Sequence, residues 1–178
     1  MSNTGATTLR RTCGSCSLCC KLIGFPELKK PPRQWCFHCA KGGGCLIYAS
    51  RPQGCRQFNC GWLTTPQFGD DWHPLRLKAV IENRSFGDSN ILCFHVDNGS
   101  PLIKRLEPYY GQLKQMALNG LPYNSWINLF IDNKLIVVLP DREIDCGTLG
   151  ENDVFSYRRR KNGLSWEVEI LKNGQRVF

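Results

Sequence analysis

Beyond residue 75 the apolar positions recur at two periods, and each predicts an element. ILCFHVD, residues 91 to 97, alternates loosely and suits a half-buried strand. Leu102, Ile103, Leu106, Tyr110, Leu113 and Ala117 follow at helical spacing. Ser100 and Pro101 ahead of them predict an N-cap and a first helical proline, and Gly120 predicts the C-terminal cap. Pro108 inside that run should kink or divide the helix, because proline lacks the N–H and crowds the preceding turn. WINLFI and KLIVVL flank Asp132-Asn133, which reads as a two-residue hairpin turn. Asn162-Gly163 between DVFSYRRR and LSWEVEIL predicts a second hairpin, and Asn173-Gly174 a last turn before QRVF. Antiparallel strands with one helical segment over a face make a small α+β unit, residues 64 to 178.

The first third behaves differently. KGGGC at 41 to 45 and RPQGC at 51 to 55 are turn-rich, and periodicity is nearly absent. LCCKLIGF predicts one short helix with Leu18, Leu22 and Ile23 facing inward. GWLTTPQFGDDWHP, residues 61 to 74, strings together Gly, Pro, Asp and aromatics, and reads as an irregular connection that packs against the fold. MSNTGATTLRR has no apolar core of a secretory signal, so residues 1 to 12 read as a disordered start. No run approaches the roughly 18 apolar residues of a membrane span. These features point to a cytoplasmic protein of bacterial type, with no membrane partner.

A turn-rich segment cannot bury enough apolar surface to fold alone, and its cysteines supply the alternative. Nine of the eleven cysteines lie at positions 13, 16, 19, 20, 36, 39, 45, 55 and 60. An odd count, local clustering and no export signal argue against a disulfide scaffold. A C-x2-C pair lets one tight turn aim two sulfurs at one ion, and Cys13/Cys16, Cys16/Cys19 and Cys36/Cys39 have that spacing. In an extended backbone Cys19 and Cys20 would point to opposite sides, bridging two centres or one centre and the core. Two four-cysteine sites would use eight thiols and leave one spare, for which Cys36 is the candidate. His38 is a further candidate ligand through nitrogen. Sulfur-only ligation suits both zinc and iron–sulfur centres. The order at 13, 16 and 19 also matches the first ligands of a bacterial ferredoxin run, without its Cys-Pro. A structural zinc supplies folding free energy on the order of 10 kcal/mol. Cys93 and Cys146 read as inert core residues.

Charge follows the cysteines. Residues 1 to 60 carry nine Lys and Arg against one acid, Glu27, so the whole net charge of +8 resides there. That is a nucleic-acid footprint on its face, but no RNP, KH or two-Cys, two-His spacing supports it. Eight thiolates around two divalent ions leave about four negative charges. Arg10, Arg11, Lys21, Arg51 and Arg56 are placed in sequence to offset them.

CGSCSLCC at 13 to 20 and CLIYASRPQGCRQFNC at 45 to 60 together resemble the CxxCxxCC, or YkgJ-like, cysteine-cluster proteins, described as zinc- or iron-chelating domains. The resemblance covers residues 13 to 63. It implies metal ligation by Cys13, Cys16, Cys19, Cys20, Cys39, Cys45, Cys55 and Cys60, with Cys36 and His38 as additions of one branch. It implies no reaction. Some flagellin lysine N-methylases contain a similar domain, but no methyl-donor fingerprint is present. Pro52 should stiffen the approach to Cys55, and Tyr48 and Phe58 should pack over the site and exclude water. His73 and His95 read as packed or surface histidines, and Asp70, Asp71, Asp141, Glu143 and Asp145 as solvated turns. RRRK, residues 158 to 161, reads as a solvated hairpin tip.

The expected architecture is therefore α+β: an irregular Cys-rich metal-binding module, residues 13 to 63, packed on a small antiparallel sheet with one kinked helix. The expected cofactor is zinc or iron, with a 4Fe-4S cluster as one form of the latter. Three roles stay open at this point: a metal-stabilised binding module with a protein partner, an iron–sulfur enzyme or electron carrier (protein-modifying and methylase-like among them), and a nucleic-acid-binding zinc module.

Overall fold

The computed structural model describes residues 11–40, 43–150, 153–159, 166–172 and 175–176. In the first third the elements are short: α1 (Cys19–Leu22), β1 (Cys39–Ala40), β2 (Gly44–Cys45), α2 (Gln53–Gln57), α3 (Gly61–Thr64) and α4 (Pro74–Leu77). As the pattern predicts, Leu18, Leu22 and Ile23 are buried around α1. β1 pairs with β2 antiparallel, and Gly44 of β2 has φ +86°, a conformation that glycine adopts without steric cost.

The main sheet has the order β3-β4-β5-β6-β7, with β3 (Ala79–Phe86), β4 (Ser89–Val96), β5 (Ser125–Ile131), β6 (Lys134–Val138) and β7 (Glu143–Thr148). The α+β class holds. One pair, β4–β5, is parallel, so the sheet is mixed rather than wholly antiparallel. The cause is the long connection between these strands, which crosses one face through α5 (Tyr109–Gly120). Between β5 and β6, Asp132 and Asn133 have φ +48° and +64°, as a primed two-residue hairpin requires.

Alternation along the strands gives the sheet two apolar faces. Ile81, Phe94, Leu129 and Val138 belong to one cluster with Leu113 and Ala117 of α5 and with Leu22, Trp62, Phe68 and Trp72. Ile91, Cys93, Trp126, Leu135 and Val137 form the other, against Tyr157 and Val168 of a second antiparallel sheet. That sheet has the order β10-β9-β8, with β8 (Val154–Arg159), β9 (Trp166–Lys172) and β10 (Gln175–Arg176). The Asn162-Gly163 and Asn173-Gly174 turns lie outside the described residues, as do residues 160 and 161 of RRRK and residues 1 to 10 of the expected disordered start. Among the described residues no helix is long and apolar enough to cross a membrane.

The helix starts later than its spacing predicts. Pro108 is the N-cap, and residues 101 to 105 form turns in which Arg105 has φ +52°. The Ser100 hydroxyl donates to Leu77 O at 2.6 Å and accepts from Leu102 N–H at 3.3 Å, so it caps a turn rather than a helix. Arg105 instead reaches across to Glu143, Nε to Oε1 at 2.7 Å and Nη2 to Oε2 at 2.9 Å, and the Tyr110 hydroxyl donates to the same carboxylate. Glu143 is thus an anchored strand residue, not a solvated turn. The Arg105 fork, against the opposing effect of burial, holds its carboxyl below the ordinary range. A carboxyl lowered by folding contributes stability above its unfolded pKa, near 4.5, and loses it as pH falls through the folded value. Glu143→Gln should therefore melt below the parent at pH 7 by about 1 kcal/mol, and the two should converge in acid. Thermal melts across that range check this; a gap that does not change with pH would remove Glu143 from the account.

Candidate metal centre

The elements of the first third turn their cysteines inward. Gly14 at φ +52° and the Cys16 N–H to Cys13 O bond of 2.8 Å make the tight turn of the first C-x2-C pair. Cys39 N–H to Cys36 O at 3.0 Å makes the same turn in the second pair. Register across β1–β2 sets Cys39 opposite Cys45. Cys55 lies on α2, which starts after Pro52, and Glu27 accepts the Gly54 N–H at its first turn. Cys60 precedes α3, where Gly61 lies so close to β3 that a Cβ would meet Ile81 Cγ2 at 2.6 Å.

Nine of the ten candidate residues line one cavity of about 100 Å³: Cys13, Cys16, Cys19, Cys20, Cys36, His38, Cys45, Cys55 and Cys60. The tenth, Cys39, shares a hydrogen bond with the Cys20 thiol and another with the Ser17 side chain. All eleven cysteines are free thiols, so no disulfide framework is present. Cys93 is fully buried and packs in the core, as expected; Cys146 packs against the same cluster.

Two neighbourhoods can be distinguished. Cys13, Cys16, Cys19 and Cys60 also line a small adjoining cavity of about 20 Å³. Cys20, Cys36, Cys39, Cys45 and Cys55 act electrostatically on one another. Cys19 and Cys20 join the two sets through a shared hydrogen bond. They do so from a helix rather than an extended strand, because α1 begins at Cys19. Cys36 is 7% exposed and faces Cys39 and Cys55, so it is as much a part of the second set as the others.

Burial pushes the thiols of Cys16, Cys39, Cys55 and Cys60 up, and neighbouring thiolates add to the rise. Cys20 is raised furthest, first by its hydrogen bond with Cys19 and then by burial. Opposing this, the backbone N–H groups of Trp62, Ile81 and Leu63 serve the Cys60 sulfur, and that of Leu18 serves Cys16. Such amides stabilise a thiolate once a cation is bound.

The internal cation is one that the sequence did not mark. Lys30 is 6% exposed, and its ammonium donates to the carbonyls of Lys21 (3.2 Å), Pro31 (3.1 Å) and Ile23. Burial lowers its pKa, while Cys36, Cys20, Cys19 and Cys55 pull it back up. Nothing in LKKPPR distinguishes Lys30 from Lys29. The bridge of Phe25 to Lys30 across a tight turn is what directs it inward. Of the five cations proposed from sequence, Arg10 lies outside the described residues. Arg11 donates to the carbonyls of Trp62 (2.7 Å) and Phe68 (2.6 Å), and Lys21 pairs with Asp97 at 2.7 Å. Arg51 stacks on Tyr48 at 3.7 Å and acts on Cys55, whereas Arg56 is exposed. Tyr48 and Phe58 both line the cavity, but Tyr48 is 58% exposed and shields only its mouth.

As placed, no group of three or more His, Cys, Asp or Glu side chains among the described residues is set to hold a metal ion. No family model, curated protein or solved structure matches the chain. What fits a metal is the donor set itself: soft sulfurs, free, around a space too small for an organic substrate. His73 is a helix cap, its Nδ1 accepting Leu75 N–H at 3.3 Å, with its ring against Trp62. It takes no part in the cluster.

Proposed function

We propose that the chain is a metal-binding protein that holds zinc or iron through cysteine thiolates in two adjoining sets. Cys13, Cys16, Cys19 and Cys60 form the first; Cys20, Cys39, Cys45 and Cys55, with Cys36 beside them, form the second. One observation carries this reading: thiols from residues 13 to 60 line a single cavity with no disulfide among them. The motif likeness to the CxxCxxCC proteins agrees with it, and free thiols suit a reducing compartment such as the cytoplasm. Nucleic-acid binding is the weaker reading, because Arg11, Lys21, Lys30 and Arg33 are engaged within the fold.

The bound metal would order the segment and draw off the thiol protons. The residues' part is to supply soft ligands, amide hydrogen bonds to sulfur and the Lys30 charge. Elemental analysis with an absorption spectrum, on protein purified without oxygen, tests the proposal. The expected result is about two zinc ions per chain in colourless protein, or iron with a visible band that bleaches on reduction. Folded protein containing no metal would overturn it.

A further inference from the structure

On the sheet face formed by Ile91, Cys93 and Trp126, one corner is ionic. Glu82 Oε2 lies 2.7 Å from His95 Nε2 and 3.0 Å from the Arg84 guanidinium. The His95 ring lies flat against Phe130, with centroids 5.1 Å apart and planes 10° from parallel. Burial would raise the Glu82 carboxyl, but the hydrogen bonds from His95 and Arg84 outweigh it and keep it ionised. A second site, remote in chemistry from the thiols, therefore has a fixed base layer.

Over this corner opens a cleft of about 1000 Å³, walled by Leu22–Gly24, Pro26 and Lys29–Arg33 on one side and by Thr148 and Leu149 on the other. Its volume is that of a small-molecule site. Four Lys or Arg residues and one histidine line it, and among the described residues no Asp or Glu does. Lys30 is turned inward to its carbonyls, and Arg33 pairs with the exposed Asp132 at 2.7 Å. Lys29 is exposed and has no carboxylate partner among the described residues. Arg84 has donors beyond the one that it gives to Glu82, since a guanidinium carries five. Leu22, Ile23, Phe130 and Leu149 supply apolar wall between these cations.

We infer that this cleft binds a small organic anion, a phosphate or carboxylate carried on an apolar body. Arg84 and Lys29 take the anionic end, and Phe130 and Leu149 cover the rest. The proposal is independent of the metal reading, and metal content measured on each variant keeps the two apart.

Titration calorimetry of the protein as purified, with phenyl phosphate, octanoate and inorganic phosphate, tests it. At least one organic anion should bind saturably, and inorganic phosphate more weakly, because it leaves the apolar wall wet. The stronger of the two organic probes identifies the anionic group. Arg84→Gln should weaken binding at least about tenfold, the worth of one charge-assisted hydrogen bond, and Arg84→Lys should weaken it less. Lys29→Gln, at an exposed position, gives the same direction without risk to the fold. No saturable heat up to about 10 mM overturns the inference. So does unchanged affinity in both Arg84→Gln and Lys29→Gln, or uptake of phosphatidylglycerol vesicles with none of the soluble probes.

Discussion

Cys20→Ser will lower the metal content of the purified protein, whereas Cys93→Ala and Cys146→Ala will leave it unchanged. Cys20 is where the two cysteine sets meet. It shares hydrogen bonds with Cys19 and Cys39, and its charge acts on Cys16 and Cys55. Serine is close in size and replaces the thiol with a hydroxyl, which offers no soft thiolate. Outer-shell partners of a metal typically cost about 10- to 100-fold in affinity when removed, so a ligand at the junction should cost at least the upper end of that range. Cys93 is buried in the sheet and Cys146 packs against the same apolar cluster, so neither lines the cysteine cavity. Competition with a chromophoric chelator, read against the parent, measures the difference. Complete chelation should go further. A structural zinc contributes on the order of 10 kcal/mol, comparable to the whole stability of an ordinary domain, about 5–15 kcal/mol. Proteolysis should then cut between residues 13 and 60 before it reaches the sheet. Equal metal content in Cys20→Ser and the parent would sink the proposed function.

Some of this was legible in the sequence, for identifiable reasons. The Asp132-Asn133 hairpin could be read because both residues must take positive φ, and few residue types tolerate that. The turns at Cys13–Cys16 and Cys36–Cys39 could be read because C-x2-C spacing is local. β3 was missed: its burial runs three buried, one intermediate and four exposed, which is no alternation at all. It is an edge strand whose first half lies under the cysteine module, and that neighbour is not local in sequence. The only local sign was Gly87, at φ +55° in the turn before β4. The β4–β5 pairing was hidden for the same reason, since parallel partners meet only through a crossover. The helix start was misplaced because Ser100-Pro101 satisfies a turn as well as it does a helix. The division of the cysteines into two sets also depends on distant contacts. Cys60 reaches Cys13 and Cys16 only because Gly61 lets α3 press against Ile81. Glu82, Arg84 and His95 come from two strands and form a cluster only once the register of β3 on β4 is known.

Trp72→Ala should cost about 3–5 kcal/mol, the range for truncating a buried aromatic, and Trp72→Phe about 1–2 kcal/mol. The residue lies near the end of the run GWLTTPQFGDDWHP, and it is 2% exposed. Its ring packs on Phe68 at 5.1 Å, Phe94 at 5.9 Å and Tyr109 at 5.4 Å, so it ties the connection to β4 and to α5 together. Its Nε1 donates to Gln112 Oε1 at 2.9 Å. Alanine removes the ring and leaves a cavity between three elements, while phenylalanine keeps most of the packing and loses the donor. The same connection directly follows Cys60 and receives the Arg11 guanidinium on the carbonyls of Trp62 and Phe68. Loosening its far end should therefore loosen the Cys60 sulfur as well. The alanine variant should release metal faster to a chelator than the phenylalanine variant does, in the order of their stabilities. Denaturant unfolding gives the first comparison and stopped-flow chelation the second. If Trp72→Ala cost less than about 1 kcal/mol, the connection would be a surface loop and not the element that fixes the cysteine module to the sheet.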